Sequence, residues 1–322
     1  MESPFYAIPG VTAVENAPLR NYTRFELGGP ARVLVDALTE EGFRRALAAA
    51  AASGEPWMVL GGGSNLIVSD AGFDGTILRY RGSAIGLEED EITVEAGAEL
   101  EALVDFSIEQ GLDGLHTLKR IPGWVGGAVY GNAGAYGHSL MEFVTEVRFV
   151  DLGAVRRAGN AACEFAYRES AFKRNKQWAV VSARLRAPKG DEAAIRARAE
   201  EIRSIRDAKF PPTLRCAGSI FKNCFLANLP ERAARAVPPA AVIEGKVPAA
   251  WFLERVGAKG ERRGEIQVAS YHANLLYNDA PDGVEASAFD ARALIEELKE
   301  RVRAEFGLTL EEEVQSVGFN GV

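Results

Sequence analysis

The chain is poor in the residues that build metal centres and disulfide frameworks. Its 322 residues include only three cysteines and three histidines. Cys163, Cys216 and Cys224 form no CxxC pair, and an odd number of cysteines does not suit a disulfide framework. The histidines lie far apart in the sequence, which favours packing or surface roles over metal ligation. We therefore expect neither a metal site nor a disulfide.

Long apolar runs and an excess of basic residues are also missing. No apolar run approaches the ~20 residues that cross a bilayer, and the start MESPFYAIPG has neither a basic nor an apolar leader region. The formal net charge is −8, from 37 basic and 45 acidic residues, and no basic stripe stands out. Nucleic-acid binding would require such a stripe. We expect a cytoplasmic protein that binds neither nucleic acid nor membrane.

The composition is that of an ordinary globular protein, with 47% apolar and 25% charged residues. A chain of this length exceeds one hydrophobic core, which predicts two or three domains. Hydrophobic periodicity predicts strands and helices in alternation. The strands are predicted at 31–37, 56–60, 75–80, 92–96, 146–151 and 178–187, and the helices at 39–54, 99–111, 191–210 and 289–307.

Some segments carry weaker signals. Thr39 is the predicted N-cap of the first helix and Gly54 its stop. The start of the chain is expected to be irregular, and a proline-containing loop is expected at 230–248. After Gly307, LTLEEEV reads as a closing strand that carries an acidic cluster. A solvated edge and a functional use of these acids are equally open at this point.

Two glycine-rich segments are the most informative part of the sequence. In VLGGGSNLIVSD, residues 59–70, three glycines follow a buried strand and precede Ser64 and Asn65. The segment is not a P-loop, which needs Lys-Ser/Thr after the last glycine, nor a dinucleotide fingerprint, which needs glycine at position 66. In GWVGGAVYGNAGAYG, residues 123–137, six glycines are too many for a helix or an ordinary strand, so neither is expected there. Bare backbone suits phosphate binding, although tight turns alone would also use glycine.

The chain resembles the UDP-N-acetylenolpyruvoylglucosamine reductase (MurB) family through motifs in order along almost its whole length. They are NYTRFELGGPA (21–31), LGGGSN (60–65), VEAGAEL (94–100), GLDGL (111–115), IPGWVGGAVYGNAGAYG (121–137), FAYRESAFK (165–173), AGSIFKN (217–223), GAKG (257–260), HANLLYN (272–278) and the final EEEV. One glycine motif would be a weak signal, but ten motifs in the right order are a strong one.

The resemblance implies an α+β fold. A two-subdomain FAD-binding module of the vanillyl-alcohol-oxidase/PCMH type precedes a C-terminal α+β substrate-binding domain. We expect FAD-binding subdomains at 1–80 and 81–188 and a substrate-binding domain at 189–307. A closing segment at 308–322 is expected to carry the catalytic glutamate. The subgroup that the chain resembles is the one lacking a tyrosine-bearing loop.

The resemblance also implies the chemistry. Non-covalently bound FAD is reduced by NADPH, and the enolpyruvyl group of UDP-N-acetylglucosamine enolpyruvate then receives hydride at C3 and a proton at C2. The product is UDP-N-acetylmuramate, a peptidoglycan precursor. By resemblance, Arg168 binds the substrate carboxylate, Ser219 donates the proton and Glu313 polarises the enolpyruvyl group. Tyr167, Lys222 and Asn223 match substrate-side positions.

The two glycine segments match the family's FAD-binding residues. A pyrophosphate can be bound by glycine-turn N–H groups and by the polar side chains of Ser64 and Asn65. The implied cofactor-binding residues are Leu60, Gly61, Gly62, Gly63, Ser64, Asn65, Leu66, Ile121, Pro122, Gly123, Gly126, Gly127, Ala128, Asn132, Gly134, Ala135 and Tyr136.

The chain departs from the family pattern in places. Gln315 stands where the family usually has arginine, and Gly131 where it usually has glutamine or methionine. The insertion at 224–248 either covers the substrate or is an idle surface loop. Two rival interpretations are an alcohol or hydroxy-acid oxidase with the same FAD module, and a binding protein that has lost its activity. The absence of a histidine near the glycine turn, and the presence of Arg168, Ser219 and Glu313, disfavour both.

Overall fold

The computed structural model describes residues 4–319. Two short stretches lie outside the described residues. They are residues 1–3, at the start expected to lack a leader, and residues 320–322, at the end of the expected closing segment. The helices are α1 Glu40–Ala52, α2 Leu100–Glu109, α3 Val125–Tyr130, α4 Ala171–Arg174, α5 Glu192–Lys209, α6 Glu231–Ala236, α7 Ala249–Arg255 and α8 Ala288–Phe306. In this part of the chain, no helix is long and apolar enough to cross a membrane.

The strands are short, and many are bounded by glycine turns. They are β1 Val11–Pro18, β2 Pro30–Ala37, β3 Trp57–Val59, β4 Leu66–Val68, β5 Phe73–Tyr80, β6 Ile85–Glu88, β7 Glu91–Glu95, β8 Gly134–Ala135, β9 His138–Ser139, β10 Val144–Asp151, β11 Ala154–Gly159, β12 Trp178–Leu185, β13 Cys216–Ser219, β14 Cys224–Phe225, β15 Lys246–Val247, β16 Arg262–Arg263, β17 Ile266–Val268, β18 Leu275–Asn278 and β19 Gln315–Val317.

The chain forms two compact units, each discontinuous in sequence. Unit 1 comprises residues 1–17, 31–63 and 74–208, and unit 2 comprises residues 18–30, 64–73 and 209–322. The glycine turn of residues 61–63 therefore belongs to unit 1, whereas Ser64, Asn65 and Leu66 belong to unit 2. The division by function expected from the sequence, with limits at residues 80, 188 and 307, stays a prediction.

Unit 1 contains two sheets around one apolar core. One sheet has the order β1-β2-β5-β3, and β3 is parallel to β5. The other has the order β11-β10-β12-β7-β6 and is antiparallel throughout. The core combines alternate residues of these strands with the apolar faces of α1 and α2. Because β3 and β5 run parallel, their carboxyl ends, and the glycine turn after β3, lie at one edge of the sheet.

The long helices follow from local signals in the sequence. Thr39 caps α1 by accepting a hydrogen bond from the N–H of Gly42, as predicted. Gly54, beyond its end, has φ +73°, which glycine adopts without strain. In α5 the buried residues are Ile195, Ala199 and Ile202, the apolar stripe expected from the spacing. These predictions are confirmed.

Unit 2 is built on an antiparallel sheet of order β13-β18-β17-β16. Its core is formed largely by side chains from α7, α8 and this sheet, and by Phe25, Leu27 and Ile67 from the two early segments of the chain. A parallel pair of β4 and β19 joins residues 66–68 to residues 315–317. The helix predicted at 289–307 corresponds to α8, which ends at Phe306; Gly307 follows it with φ +66°.

Three expectations about individual segments were wrong. The start is not irregular, because β1 spans Val11–Pro18. The loop at 230–248 contains α6, whose Ala233 is buried in the core of unit 2. The closing strand contains none of the three acids, because β19 begins at Gln315. The glutamates precede the strand, where each contacts a different part of unit 2.

Candidate active site

The two glycine segments meet inside unit 1. An ideal Cβ placed on Gly62 would lie 2.9 Å from Cα of Gly123 and 3.1 Å from Cδ1 of Trp124. Such distances are too short for any side chain, so the first segment packs backbone against backbone on the second. Leu60, just before the turn, is held by its N–H, which donates to the carbonyl of Leu78.

The same region has open backbone that fits FAD. A Cβ on Gly127 would meet no heavy atom within 4 Å. One on Gly61 would meet only the amide nitrogen of Gly127 at 3.8 Å and Cβ of Trp124 at 3.9 Å. Backbone without side chains and with space in front of it can lie directly against an extended dinucleotide. Gly61 and Gly127 therefore form a surface of the kind that the expected cofactor needs.

The expectation that residues 123–137 exclude a helix was wrong, because α3 lies within them. A Cβ on Gly126 would lie 3.0 Å from Cβ of Ala96, so any larger residue there would have to push Ala96 aside. The N–H groups of Val125 and Gly126 donate to Ala98 and Ala96, which fixes the start of the helix. Tertiary packing thus outweighs the low helix propensity of glycine over this short length.

A tight hairpin follows α3. β8 and β9 pair through Ala135 and His138, and the two turn residues, Tyr136 and Gly137, have φ +52° and +81°. Positive φ at both positions is typical of a two-residue hairpin turn. Asn132 is buried and donates from Nδ2 to the carbonyl of Ala166 at 2.8 Å. This predicted FAD residue therefore holds the chain just before Tyr167 and Arg168.

Arg168 lies in a strained turn of unit 1. Ala166 and Glu169 exchange two backbone hydrogen bonds, which places Tyr167 and Arg168 at the tip. Arg168 has φ +58°, a conformation that costs a residue with a side chain about 1–2 kcal/mol. Its Nη2 donates to the carbonyl of Gly134 at 3.0 Å. Strain at an arginine supported in this way suggests a functional site.

Ile121, Pro122, Gly123 and Ala128 complete the predicted cofactor residues of unit 1. Gly123 has φ +111°, and its carbonyl accepts from the N–H of Leu100. Ala128 is buried in α3. Ile121, Pro122 and Gly123 lie on the segment between α2 and α3, and Ala128 lies in α3 itself.

In unit 2 a bulge precedes Ser219. β13 pairs with β18 at Cys216↔Tyr277 and Ser219↔Leu275, so three steps on one strand match two on the other. Gly218 in this bulge has φ +78°, which explains glycine at the position. A bulge redirects the side chain next to it. The aim of the Ser219 hydroxyl is therefore set by the sheet and not by a flexible loop.

The closing segment lies beside Ser219. The N–H of Glu313 donates to the carbonyl of Ile220 at 2.7 Å, and Lys222 N donates to the carbonyl of Glu311 at 2.9 Å. Nζ of Lys222, a residue only 6% exposed, lies 2.5 Å from Oε1 of Glu311. Unit 2 thus brings Ser219, Lys222 and Glu313 together around one short segment.

The structure separates the roles of the three consecutive glutamates. Glu311 pairs with Lys222, and Glu312 pairs with Arg292 and Lys299 of α8. Burial raises the pKa of Glu312, but hydrogen bonds from these two cations outweigh it and leave the pKa lowered. The Glu312 carboxylate is therefore engaged in ion pairs with α8, which leaves the predicted role of Glu313 open to it rather than to Glu312.

Asn65 and Asn223 bind backbone groups in unit 2. Asn65 follows the glycine turn, and its Nδ2 donates to the carbonyl of Glu313 at 3.0 Å. Asn223 accepts through Oδ1 from the N–H of Ala249 at 3.3 Å, at the start of α7. Leu66 begins β4, and Ser64 directly precedes Asn65.

Sequence reasoning missed two residues. Asn274, in the HANLLYN motif, accepts from Phe221 N at 2.9 Å and donates to Phe221 O at 2.8 Å. Trp124 lies against Gly62, and the guanidinium carbons of Arg79 and Arg81 are 4.9 and 5.0 Å from its ring centroid. Both residues lie inside motifs that carry the family resemblance. The motifs indicate that these positions matter, but they do not reveal which groups the two side chains contact.

Known proteins match both parts of the chain. Residues 31–156 match the family model described as FAD binding domain. Residues 210–317 match the model of the C-terminal domain of UDP-N-acetylenolpyruvoylglucosamine reductase. The expected α+β fold, with an FAD-binding module followed by this C-terminal domain, is thereby confirmed.

Individual relatives extend the similarity over nearly the whole chain. The UDP-N-acetylenolpyruvoylglucosamine reductase of Solibacter usitatus (strain Ellin6076) is 53% identical over 311 residues, which are 97% of this chain and 98% of the relative. The protein of the same name from Rubrobacter xylanophilus is 35% identical and covers 94% of each chain. The crystal structure of UDP-N-acetylenolpyruvylglucosamine reductase (MurB) from Thermus caldophilus has a TM-score of 0.74 at 30% identity, covering 95% of this chain and 98% of that one. The chain therefore belongs to the UDP-N-acetylenolpyruvoylglucosamine reductase family.

Proposed function

We propose that the protein reduces UDP-N-acetylglucosamine enolpyruvate to UDP-N-acetylmuramate, with FAD as cofactor and NADPH as reductant. Family membership supports the activity. The observation that carries the assignment of the chemistry is the grouping of Ser219, Lys222 and Glu313 around one segment of unit 2. We also propose that the protein acts in the bacterial cytoplasm, where NADPH and nucleotide-activated sugars are made.

FAD would lie against the backbone of Gly61 and Gly127, and when bound it supplies hydride transfer between NADPH and the substrate. The residues of the chain bind the cofactor and the substrate, orient them and supply the proton to C2. The many backbone N–H groups around the glycine turn support tight but non-covalent retention. Acid precipitation should then release yellow flavin into the supernatant, and colour kept in the pellet would contradict this.

Arg168 is proposed to bind the substrate carboxylate. Hydride arrival at C3 leaves negative charge spread over C2 and that carboxylate. A guanidinium is permanently charged and can offer two parallel N–H donors to it. Its strained, supported backbone keeps this fork in one place, with the hydrogen bond to Gly134 holding one nitrogen.

Ser219 is proposed to deliver the proton to C2. A neutral serine is a weak acid, so it needs neighbours that stabilise its alkoxide or replace its proton. The backbone hydrogen bonds of Lys222 and Glu313 keep both residues close to Ser219 in the fold, and we propose that one of them assists the proton transfer. The Lys222 ammonium favours negative charge nearby, whereas Glu313 is suited to polarise the enolpyruvyl group.

An absorbance experiment tests the activity. NADPH should bleach the flavin band of the purified protein, and the enolpyruvyl sugar should restore it under anaerobic conditions. Bleaching by an alcohol or hydroxy acid in place of NADPH, or recolouring by oxygen alone at a catalytic rate, would contradict the proposal.

Ser219→Ala tests the chemical role. Reduction of the flavin by NADPH needs no proton donor at carbon, so bleaching should keep its rate. Recolouring by the sugar should slow by about 10²–10⁴-fold, the usual contribution of a positioned proton donor, or roughly 3–5 kcal/mol. Stopped-flow traces of both phases decide the matter, because equal slowing of both would assign Ser219 to shaping the site instead.

A further inference from the structure

Asn274 holds the backbone next to Ser219 from the side of the sheet. Its own carbonyl accepts from Ile220 N at 3.1 Å, and its side chain bonds both the N–H and the carbonyl of Phe221. From the other side, Glu313 N donates to the carbonyl of Ile220. The peptide units after Ser219 are therefore fixed between Asn274 and the closing segment.

This contact begins where regular strand pairing stops. β13 ends at Ser219, whose partner on β18 is Leu275. Beyond it, the Asn274 side chain takes the place of a neighbouring strand by offering one donor and one acceptor. Asn274 is 3% exposed, so a lost partner would leave a buried polar group unpaired. Both the position and the direction of the Phe221 peptide are thus specified.

The bulge at Gly218 increases the importance of this contact. The bulge separates Ser219 from the regular ladder on its N-terminal side, and the Asn274 bonds restore a fixed geometry on its C-terminal side. A shift of the Phe221 peptide would carry Ser219 and Lys222 with it, because each is within two residues of that peptide. A misplacement of about 1 Å can cost about 10²-fold in rate.

We propose that Asn274 is a positioning residue for proton delivery in the second half-reaction. It touches no reacting atom and acts by fixing Ile220 and Phe221, and through them Ser219. The inference rests on the proposed role of Ser219 as proton donor.

The test compares two buried asparagines on or next to β18. Asn274→Asp keeps the shape of the side chain but removes the donor to Phe221, and Asn274→Ala removes both bonds without adding charge. Asn278→Asp is the matched control. Asn278 is also buried and also bonds two backbone groups, at Phe25 and Ala280, neither of which adjoins Ser219.

The measurements use the full-length, FAD-loaded protein. We expect both Asn274 variants to recolour about 10- to 10²-fold more slowly with the enolpyruvyl sugar while NADPH bleaching stays unchanged. The solvent deuterium isotope effect on recolouring should rise, because proton transfer becomes more rate-limiting. The Asn278 variant should lower the melting temperature to a similar extent but leave both phases and the isotope effect as in the unmodified protein.

Ser219→Ala, measured in parallel, separates the two proposals. If it slows recolouring alone but the Asn274 variants slow both phases or neither, the inference about Asn274 is overturned and the role of Ser219 stands. If Ser219→Ala leaves recolouring unchanged, the proton comes from elsewhere and the inference about Asn274 is overturned with it. The inference would also be overturned if recolouring slowed in the Asn278 variant as well, in proportion to the fall in melting temperature, as it does in the Asn274 variants.

Discussion

The side-chain amide of Asn65 donates a hydrogen bond to the main-chain carbonyl of Glu313 at 3.0 Å, across 248 positions of sequence. Asn65 also accepts, through its main-chain carbonyl, from the N–H of Gln315 at 3.1 Å. The parallel pairing of β4 with β19 begins one residue later, at Leu66. Within unit 2, Asn65 therefore ties the residue before β4 to the closing segment that carries the proposed catalytic glutamate.

Asn65→Asp should weaken this link. The variant loses the donor to Glu313 O and places a carboxylate against a carbonyl, which should cost about 1–3 kcal/mol in the free energy of unfolding. We expect slower recolouring by the sugar and weaker FAD retention, measured by stopped-flow and by flavin content. Asn160→Asp, which removes two amide-to-carbonyl bonds from unit 1, to Met141 and Val144, is the control and should alter stability only. Equal kinetics in the two variants would contradict the coupling.

Glu312 should contribute to stability in a pH-dependent way. Its pKa is lowered below the usual 4.5, because ion pairs with Arg292 and Lys299 outweigh burial. A depressed pKa in the folded state gives stability that is present above about pH 4.5 and is lost as the pH falls through the lower folded-state pKa. Glu312→Gln should therefore cost about 1–3 kcal/mol at pH 7 and progressively less below pH 4.5.

Thermal melting at several pH values checks the Glu312 prediction. Glu300→Gln is the control, because Glu300 lies exposed on α8 and pairs with Arg303, its neighbour one turn away. Exposed pairs of this kind contribute little. A difference between Glu312→Gln and the unmodified protein that persists unchanged at pH 3 would contradict the assignment.

The long helices could be predicted because their signals are local. The cap at Thr39, the stripe of Ile195, Ala199 and Ile202, and the stop at Gly307 each involve residues within a few turns. α3 could not be predicted from local propensity, because the glycine at position 126 packs tightly against Ala96, which is 30 residues away. The sequence records the glycines but not the surface against which they pack.

The site was predictable to a similar, limited extent. Motif resemblance singled out Ser219, Lys222 and Glu313, and the structure groups all three in unit 2. Their relation depends on backbone bonds between residues about ninety positions apart, which no local pattern contains. The hydrogen bonds of Asn274 to Phe221 span 53 positions and were invisible for the same reason.

Arg168→Lys should impair the enzyme although the charge is kept. An ammonium cannot provide one N–H to Gly134 and a parallel pair to a carboxylate at the same time. We expect a raised KM for the enolpyruvyl sugar and slower recolouring, with NADPH bleaching unchanged. Arg174→Lys, at an exposed ion pair with Glu164, is the control and should behave like the unmodified protein. Full turnover in Arg168→Lys would contradict two-point binding of the carboxylate and would mean that Arg168 contributes only its charge.

Glycine variants should distinguish backbone that packs internally from backbone that binds FAD. In Gly62→Ala the new Cβ would lie 2.9 Å from the Gly123 backbone, so the protein without flavin should lose about 1–3 kcal/mol of stability. In Gly127→Ala the Cβ has no neighbour within 4 Å, and alanine favours the helix by up to about 1 kcal/mol. The flavin-free Gly127 variant should therefore melt at the same temperature or higher.

Although Gly127→Ala should not destabilise the flavin-free protein, we expect it to weaken FAD binding. If the cofactor lies against the open backbone, the added methyl group occupies its space, and fluorescence titration should give a higher Kd for FAD despite the unchanged or improved melting temperature. Gly131→Ala is the control, because its Cβ would meet only the Gly127 carbonyl at an ordinary 3.5 Å and Gly131 is not among the expected cofactor residues. It should keep both the stability and the FAD affinity of the unmodified protein. An unchanged Kd in Gly127→Ala would place the cofactor on a different surface and remove the structural reason for glycine at position 127.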